Sequence, residues 1–412
     1  MESICNKMFF SDFTVRNPSF TKPDRKRREA ADILVLFGSV ILAIQVKSKR
    51  EIKKASEKDE HDFSRIIKVV EDGIRQLGTT KRAIDNGWLD QVRSGKGMEI
   101  STEGLEKDKF IGIVILDLIG EELFEEGERS RLYGLYLGHK GYPIHVLTRD
   151  DFDSLSTELD TLPDFIRFLG VVKSLHEAKL LVFPIQCLDL LAIYKMNPEL
   201  ISKAMIDNVH LSIGDDIWRE YHQKFNHSIM ARNELNKNSY LIDEIIDFLH
   251  SSVGFYPVGE ALSSHGLKGE GTVEGYLKVA KELAGLTRLE RRRLGDKLVD
   301  CLQRGEKTGL SYSVVRNEDS SNCVLILCSK LERIERAQFL YKLCGAAYCY
   351  LGLSKIVGIS TETSGAPLRS YDAMVLEEVE FSNAKELSEQ ARKLFGVERR
   401  LHDWEYTDPD SH

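Results

Sequence analysis

The chain has little that would place it in a membrane or in an oxidising compartment. Its longest apolar run, Ile33–Ile44, is interrupted by Gly38-Ser39. That is far short of the roughly 20 apolar residues a helix needs to cross a bilayer. The opening MESICNKMFFSDF has no basic stretch followed by an apolar one, so no secretory signal peptide is expected. Cysteine is sparse: seven in 412 residues, odd in number, with no Cys-x-x-Cys pair. This argues against a zinc site or a disulfide framework, and the expectation is a cytoplasmic protein with reduced, mostly buried thiols. A surplus of positive charge is also missing, since the net charge is −8. That excludes a protein uniformly coated with cations. There is no internal repeat and no low-complexity segment. The Gly/Ser-rich segment 251–271 ends in HGLKGEG but lacks the spacing of a phosphate-binding P-loop.

What is present fits a soluble α/β protein long enough for two cores, with 42% hydrophobic and 30% charged residues. Its charge is uneven. Residues 21–60 hold eleven Lys/Arg against seven Asp/Glu. The basic runs are Arg25, Lys26, Arg27 and Arg28 on one side, and Lys47, Lys49, Arg50, Lys53 and Lys54 on the other. A solvated face is the bland explanation of such runs. Here they flank both ends of one apolar hairpin, which points to a phosphate-facing rim and to nucleic acid as the partner.

The hairpin consists of Ile33–Phe37 and Val40–Val46, joined by Gly38-Ser39, a pair suited to a two-residue II′ turn. In that register Phe37 faces Val40 and Asp32 faces Gln45. Directly opposed residues share a sheet face, and Lys47, two further on, shares it too. A carboxylate, an amide carbonyl and an ammonium therefore meet at the open end of the hairpin. The oxygens suit Mg²⁺ or Mn²⁺, while the ammonium can orient water or hold a phosphate. Polar strand ends that are merely wet would look the same one residue at a time.

Asp32, a twelve-residue spacer and Gln45-Val46-Lys47 together resemble the PD-(D/E)xK nuclease superfamily. There an acid enters one strand and (D/E/Q)-x-K follows on the next, and the Q-x-K form is similar to the Mrr-type restriction branch. The resemblance covers about the first 150 residues. It implies a restriction-endonuclease-like mixed sheet flanked by helices, and a Mg²⁺-dependent phosphodiester hydrolase acting on double-stranded DNA, in a role such as defence against foreign DNA. By the same resemblance Asp32 is a metal-binding acid, Gln45 the second metal-side residue and Lys47 the catalytic lysine. Glu29 is a further acid, supplying charge that Gln45 does not. Glu2 matches an acid some members carry on a first helix, and Gln76 a glutamine that some carry on the core helix. A nuclease-like binding module without catalysis is the alternative, and a scaffold with a purely structural hairpin is a third reading.

Along the rest of the chain, apolar residues from Phe63 to Leu77 recur every three or four positions, predicting a helix over His61–Ile84 that packs on the sheet. Phe110–Leu118 and Tyr142–Leu147 read as strands, and Thr148–Asp151 as a helix start. His145 is expected to be a core or edge histidine. Residues 151–225 are helix-rich and are expected to extend the first domain, 1–225, as a cap. Residues 226–412 are expected to form a second α/β domain, with a strand–helix–strand pattern at Cys323–Cys328, Gln338–Leu351 and Lys355–Ile359 and a role in targeting, sensing or oligomerisation. Leu286–Leu294, LTRLERRRL, is a basic helix that either contacts nucleic acid or is solvated.

Overall fold

The computed structural model describes residues 10, 13–21, 26–49, 60–89, 92–93, 99–100, 109–118, 134–137, 141–181, 187–213, 217–250, 273–316, 322–364 and 370–395. Glu2, Arg25, Arg50 and the 251–271 segment lie outside them. The fold is mixed α/β and divides into two units, Met1–His227 and Ser228–His412.

In the first unit the strands β1 (Thr14–Arg16), β2 (Ser19–Thr21), β3 (Arg27–Glu29), β4 (Ile33–Phe37) and β5 (Val40–Lys49) come first. Helix α1 (Glu60–Asp85) follows, then β6 (Val92–Arg93), β7 (Glu99–Ile100), β8 (Phe110–Leu118), β9 (Gly134–Leu137) and β10 (Pro143–Thr148). Six of these form one sheet, in the order β1-β4-β5-β8-β10-β9. The β5–β8 and β8–β10 pairs are parallel, and the other three are antiparallel. The hairpin register places Phe37 opposite Val40, with Gly38 at φ +57 and Ser39 outside the left-handed region. That is the backbone a II′ turn requires.

Alternation along the strands sorts side chains into two apolar layers. Leu34, Leu36, Ile41, Ala43 and Val114 meet the apolar face of α1. Ile33, Val35, Leu42, Ile44 and Ile115 meet the helices α2 (Arg149–Glu158), α3 (Leu162–Glu177), α4 (Cys187–Met196) and α5 (Pro198–Asp207). These helices are thus the second layer of the first unit rather than a cap on it. The reason is in their sequence: Phe152, Leu155, Phe165, Phe168 and Leu169 are all buried against the sheet, which needs cover on both faces because its central strands are apolar on both. Thr148 starts α2 with a reciprocal capping box to Asp151.

His145 sits in β10 at 2% exposure, and burial pushes its imidazole down to about 3, with His176 adding to the effect. A histidine held neutral in the fold takes up a proton below about pH 6.5 only on unfolding. Its contribution is therefore present at neutral pH and falls as pH drops, by about 2 kcal/mol between pH 7 and 5. His145→Leu is expected to lose that much less stability than wild type over this interval in urea unfolding. Equal pH slopes for the two proteins would refute the assignment.

The second unit holds the end of α6 (Ile217–Asn236), then α7 (Tyr240–His250), α8 (Val273–Ala284) and α9 (Arg288–Thr308). Strands β11 (Leu310–Arg316) and β12 (Asn322–Ser329), helix α10 (Arg333–Leu351), strands β13 (Lys355–Glu362) and β14 (Tyr371–Glu377), and helix α11 (Ala384–Phe395) complete it. The sheet runs β11-β12-β13-β14, with β12 and β13 parallel and α10 as their crossover. Leu340, Leu343 and Cys344 of α10 pack on Cys323, Leu325 and Leu327 of β12.

The basic helix of the sequence is neither solvated nor free for nucleic acid at its first arginines. Arg288, Arg291 and Arg292 are all buried. Arg288 and Arg291 share the Asp243 carboxylate, at 2.9 and 2.7 Å, and Arg292 donates to the Asn236 side chain at 2.9 Å. These arginines tie α9 to α7 and to the end of α6. No described helix is long and apolar enough to cross a membrane.

Candidate functional site

The hairpin register brings the polar residues together through contacts at the open end of the β4–β5 pair. Val46 lies on the β4 side of β5, and its N–H donates to Asp32 Oδ2 at 2.6 Å. The Gln45 side-chain amide donates to the same oxygen at 2.6 Å. Two donors on one oxygen fix the carboxylate, while Asp32 Oδ1 and Gln45 Oε1 accept no hydrogen bond from the described residues. The Val46 carbonyl points to the same strand edge as its N–H, beyond the last β4 partner, because paired strands alternate their hydrogen-bonding edges.

Just upstream, the Glu29–Asp32 segment is held by the β2–β3 ribbon and by neighbouring backbone. Ala30 N–H donates to Pro18 O at 2.6 Å, Asn17 N–H to Asp32 O at 2.9 Å, and the buried Thr80 hydroxyl of α1 to Ala30 O. The Asn17 side-chain amide, oriented as its acceptors demand, donates to Glu29 Oε1 at 3.1 Å.

Lys47 faces α1. Its ammonium donates to Gln76 Oε1 at 2.6 Å and to Asp72 Oδ2 at 3.1 Å. The Gln76 amide in turn donates to Asp72 Oδ2 at 3.1 Å, and Asp72 Oδ1 accepts from Arg75. The arrangement depends on Gly73. A Cβ there would stand 2.9 Å from Val114 Cγ1, so glycine lets the helix approach the sheet beside the lysine. With the Lys47 side chain only 15% exposed, its contacts are partly shielded from water and stronger than those of a surface pair. Among the described residues Asp72 and Gln76 occupy two of its three N–H donors, which leaves a third for whatever enters the cleft. The Arg75 guanidinium, followed by the Lys47 ammonium, holds the Asp72 carboxyl below its usual range, so this anchor stays ionised at neutral pH and is lost only as pH falls through that lowered value.

A cleft of about 530 Å³ opens over this end of the sheet. Gln45, Lys47, Glu29, Arg28, Arg75 and Arg82 are in its wall. Asp32 is half-buried and not a wall residue; its link to the cleft is the hydrogen bond from Gln45. Arg27 and Arg28 of β3 and the adjoining Lys26 are exposed, Arg28 at the cleft and Arg27 bonded to Ser19 Oγ at 2.9 Å. Lys49 ends β5. Gln76, the core-helix glutamine of the sequence reading, is the one bonded to Lys47, and Lys81, further along α1, is buried and pairs with Asp85.

Asp72 was not legible as a site residue. The apolar stripe Val70–Ile74–Leu77 marks which face of α1 meets the sheet, but no spacing says that Asp72, at the border of that stripe, reaches a lysine on a strand. The four-residue step from Asp72 to Gln76 is the one signal that could have suggested a paired anchor.

The acids are few. Among the described residues no group of three or more His, Cys, Asp or Glu converges as a metal site. The hard-oxygen donors present are Asp32 Oδ1, Gln45 Oε1, the Val46 carbonyl and Glu29, a set that suits an ion that keeps most of its waters, as Mg²⁺ does, rather than a fully caged one. Compared with family models, with curated proteins and with solved structures, the chain matches none.

Proposed function

We propose that this protein is a metal-dependent nuclease that hydrolyses phosphodiester bonds, with double-stranded DNA as substrate. The observation that carries the reading is the seating of Lys47: an ammonium clamped by Asp72 and Gln76, on the same strand and face as Gln45, in a cleft walled by three arginines. A solvated hairpin end would not need a charged side chain held from a facing helix. The mixed sheet with α1 on one face and α2–α5 on the other agrees with a restriction-endonuclease-like core.

Asp32, Gln45, the Val46 carbonyl and Glu29 would hold Mg²⁺ or Mn²⁺, which supplies Lewis-acid charge and an acidified water. The protein's own part follows from its residues. Asp32 is locked by two hydrogen bonds and presents one open oxygen. Lys47 points its remaining N–H at the phosphate and offsets the negative charge that grows on phosphorus oxygens during attack. Arg28, Arg75 and Arg82 draw the polyanion in.

The test is plasmid cleavage with Mg²⁺, Mn²⁺ or EDTA by wild type and Asp32→Ala. Metal-dependent cutting that Asp32→Ala loses supports the reading. Equal cutting by both proteins would trace the activity elsewhere. Metal-independent binding that survives Asp32→Ala, with no cutting, would favour a catalytically silent nuclease-like module, for which the neutral Gln45 is the specific argument.

A further inference from the structure

We infer that the face of α1 carrying Arg75, Thr79 and Arg82, with Arg28 opposite it, is a track for the phosphate backbone of duplex DNA, leading to the Lys47 end of the cleft. The inference deepens the nuclease reading and rests on it for the identity of the polyanion.

Three observations carry it. The first is charge. The cleft wall holds Arg28, Lys47, Arg75 and Arg82 against Glu29, with the Asp72 carboxylate bonded to Lys47 and Arg75, in a chain whose net charge is −8. The balance stays positive with Asp72 counted, in a chain that is acidic overall, and such a local surplus suits a polyanion.

The second is geometry. Positions 75, 79 and 82 lie on one helix face. At 1.5 Å per residue Arg75 and Arg82 are about 10.5 Å apart along the axis, and both arms are long enough to reach separate phosphates of one backbone. The arginines are also held in place. Arg75 is 78% exposed yet pinned at one end by Asp72. Arg82 donates to Thr79 Oγ1 at 3.1 Å and to Gly78 O at 3.3 Å, which lays its guanidinium along the helix. A guanidinium anchored at one edge keeps other N–H groups for a second acceptor, and phosphate matches that fork.

The third observation selects duplex over single strand. Proteins that grip single strands stack bases on exposed aromatic rings. Among the described wall residues the aromatic one is Phe20, at 1% exposure, so its ring offers no face to a base. The cleft makes phosphate contacts without a stacking platform, as suits a backbone whose bases are already paired.

The experiment is fluorescence anisotropy with the full chain in EDTA, where cutting cannot interfere. The probes are a short labelled duplex and one of its strands, measured over a series of salt concentrations. Wild type is expected to bind the duplex about tenfold more tightly than the strand. Arg75→Glu/Arg82→Glu is expected to weaken duplex binding by about tenfold or more, and to reduce the slope of log Kd against log salt by roughly two, near 0.9 for each lost phosphate contact. Lys203→Glu, at an exposed position of α5 in the helix layer on the other face of the sheet, is expected to change Kd by less than about threefold. The neutral pair Arg75→Gln/Arg82→Gln should show the same ordering more weakly, and unchanged amide protection along α1 shows that the helix is intact. The track is overturned by an unaltered Kd and slope in the double variant, by an equal loss in Lys203→Glu, or by tighter binding of the single strand. Those failures are read without metal, so they leave the nuclease reading standing, which fails instead on the cleavage assay with Asp32→Ala.

Discussion

Lys47→Ala is expected to lower the rate of metal-dependent cleavage by about 10²–10³-fold while leaving duplex binding in EDTA within about threefold of wild type. The size is that of removing one preorganised donor aimed at developing charge in a shielded site. The separation of the two readouts follows from the contacts. Asp72 and Gln76 hold the ammonium, so its position is set before substrate arrives, whereas the arginines of the cleft wall remain to bind the backbone. The fold should tolerate the change. Asp72 keeps Arg75 as its partner and is 34% exposed, so truncating the lysine strands no buried charge. Lys47→Arg should not restore activity, because a planar fork with a longer reach cannot replace a point charge seated between a carboxylate and an amide carbonyl. Asp72→Asn provides the intermediate case: the lysine keeps Gln76 but loses its ionic anchor, and the rate should fall by about tenfold, while duplex binding is not weakened because a negative charge beside Arg75 is removed. Cleavage by Lys47→Ala at the wild-type rate would remove the lysine from the chemistry and, with it, the observation that carries the nuclease reading.

The parts of this arrangement that could be read from the chain are those set by local rules. Period-two alternation and the Gly38-Ser39 turn fix the hairpin register, and register fixes which face Asp32, Gln45 and Lys47 share. The helix over Glu60–Asp85 follows from its apolar stripe, and the start of α2 from Thr148 and Asp151. What escaped are the tertiary choices. The β2–β3 ribbon is too short to leave a pattern, yet it positions Glu29 and Arg28 at the cleft. The helices after residue 149 looked like an extension because nothing in their own sequence says that Phe152 and Phe165 meet the far face of the sheet. The arginines of LTRLERRRL looked like a surface because their acceptors, Asp243 and Asn236, come from segments some fifty residues earlier. Charge in a sequence marks where a partner is needed but not whether that partner is solvent, a phosphate or another side chain.

That distinction has its largest consequence in the second unit, where Arg336→Met is expected to destabilise the β13–β14 end of the sheet by about 3–5 kcal/mol. Arg336 is 1% exposed and lies on α10. It pairs with Glu362 at 2.8 Å and Asp372 at 3.0 Å, and donates to the Ser370 hydroxyl at 2.6 Å. Asp372, itself 3% exposed, would keep Arg333, at 2.9 Å, but lose its second cation. Glu362, 24% exposed, would lose its arginine and keep the Ser370 donors. Burial pushes its carboxyl up, yet the Ser370 donors and the Arg336 charge outweigh that and hold it below its usual range. Its stabilising contribution is therefore present at neutral pH and lost as pH falls through that lowered value. Methionine fills the arginine's volume, so the cost measured is that of carboxylates deprived of a buried cation rather than of a cavity. Hydrogen exchange should report it as at least roughly 100-fold faster exchange in Lys355–Glu362 and Tyr371–Glu377, with the Ile33–Phe37 hairpin unchanged. Adding Asp372→Leu to Arg336→Met should recover part of the loss, since a pair removed together leaves less uncompensated charge than a pair broken. Unaltered exchange in β13 and β14 of Arg336→Met would mean that solvent reaches these carboxylates and the network is dispensable. Recovery in the double variant would show instead that Arg336 is present to neutralise Asp372, which places this cation, unlike those of the cleft, wholly in the service of the fold.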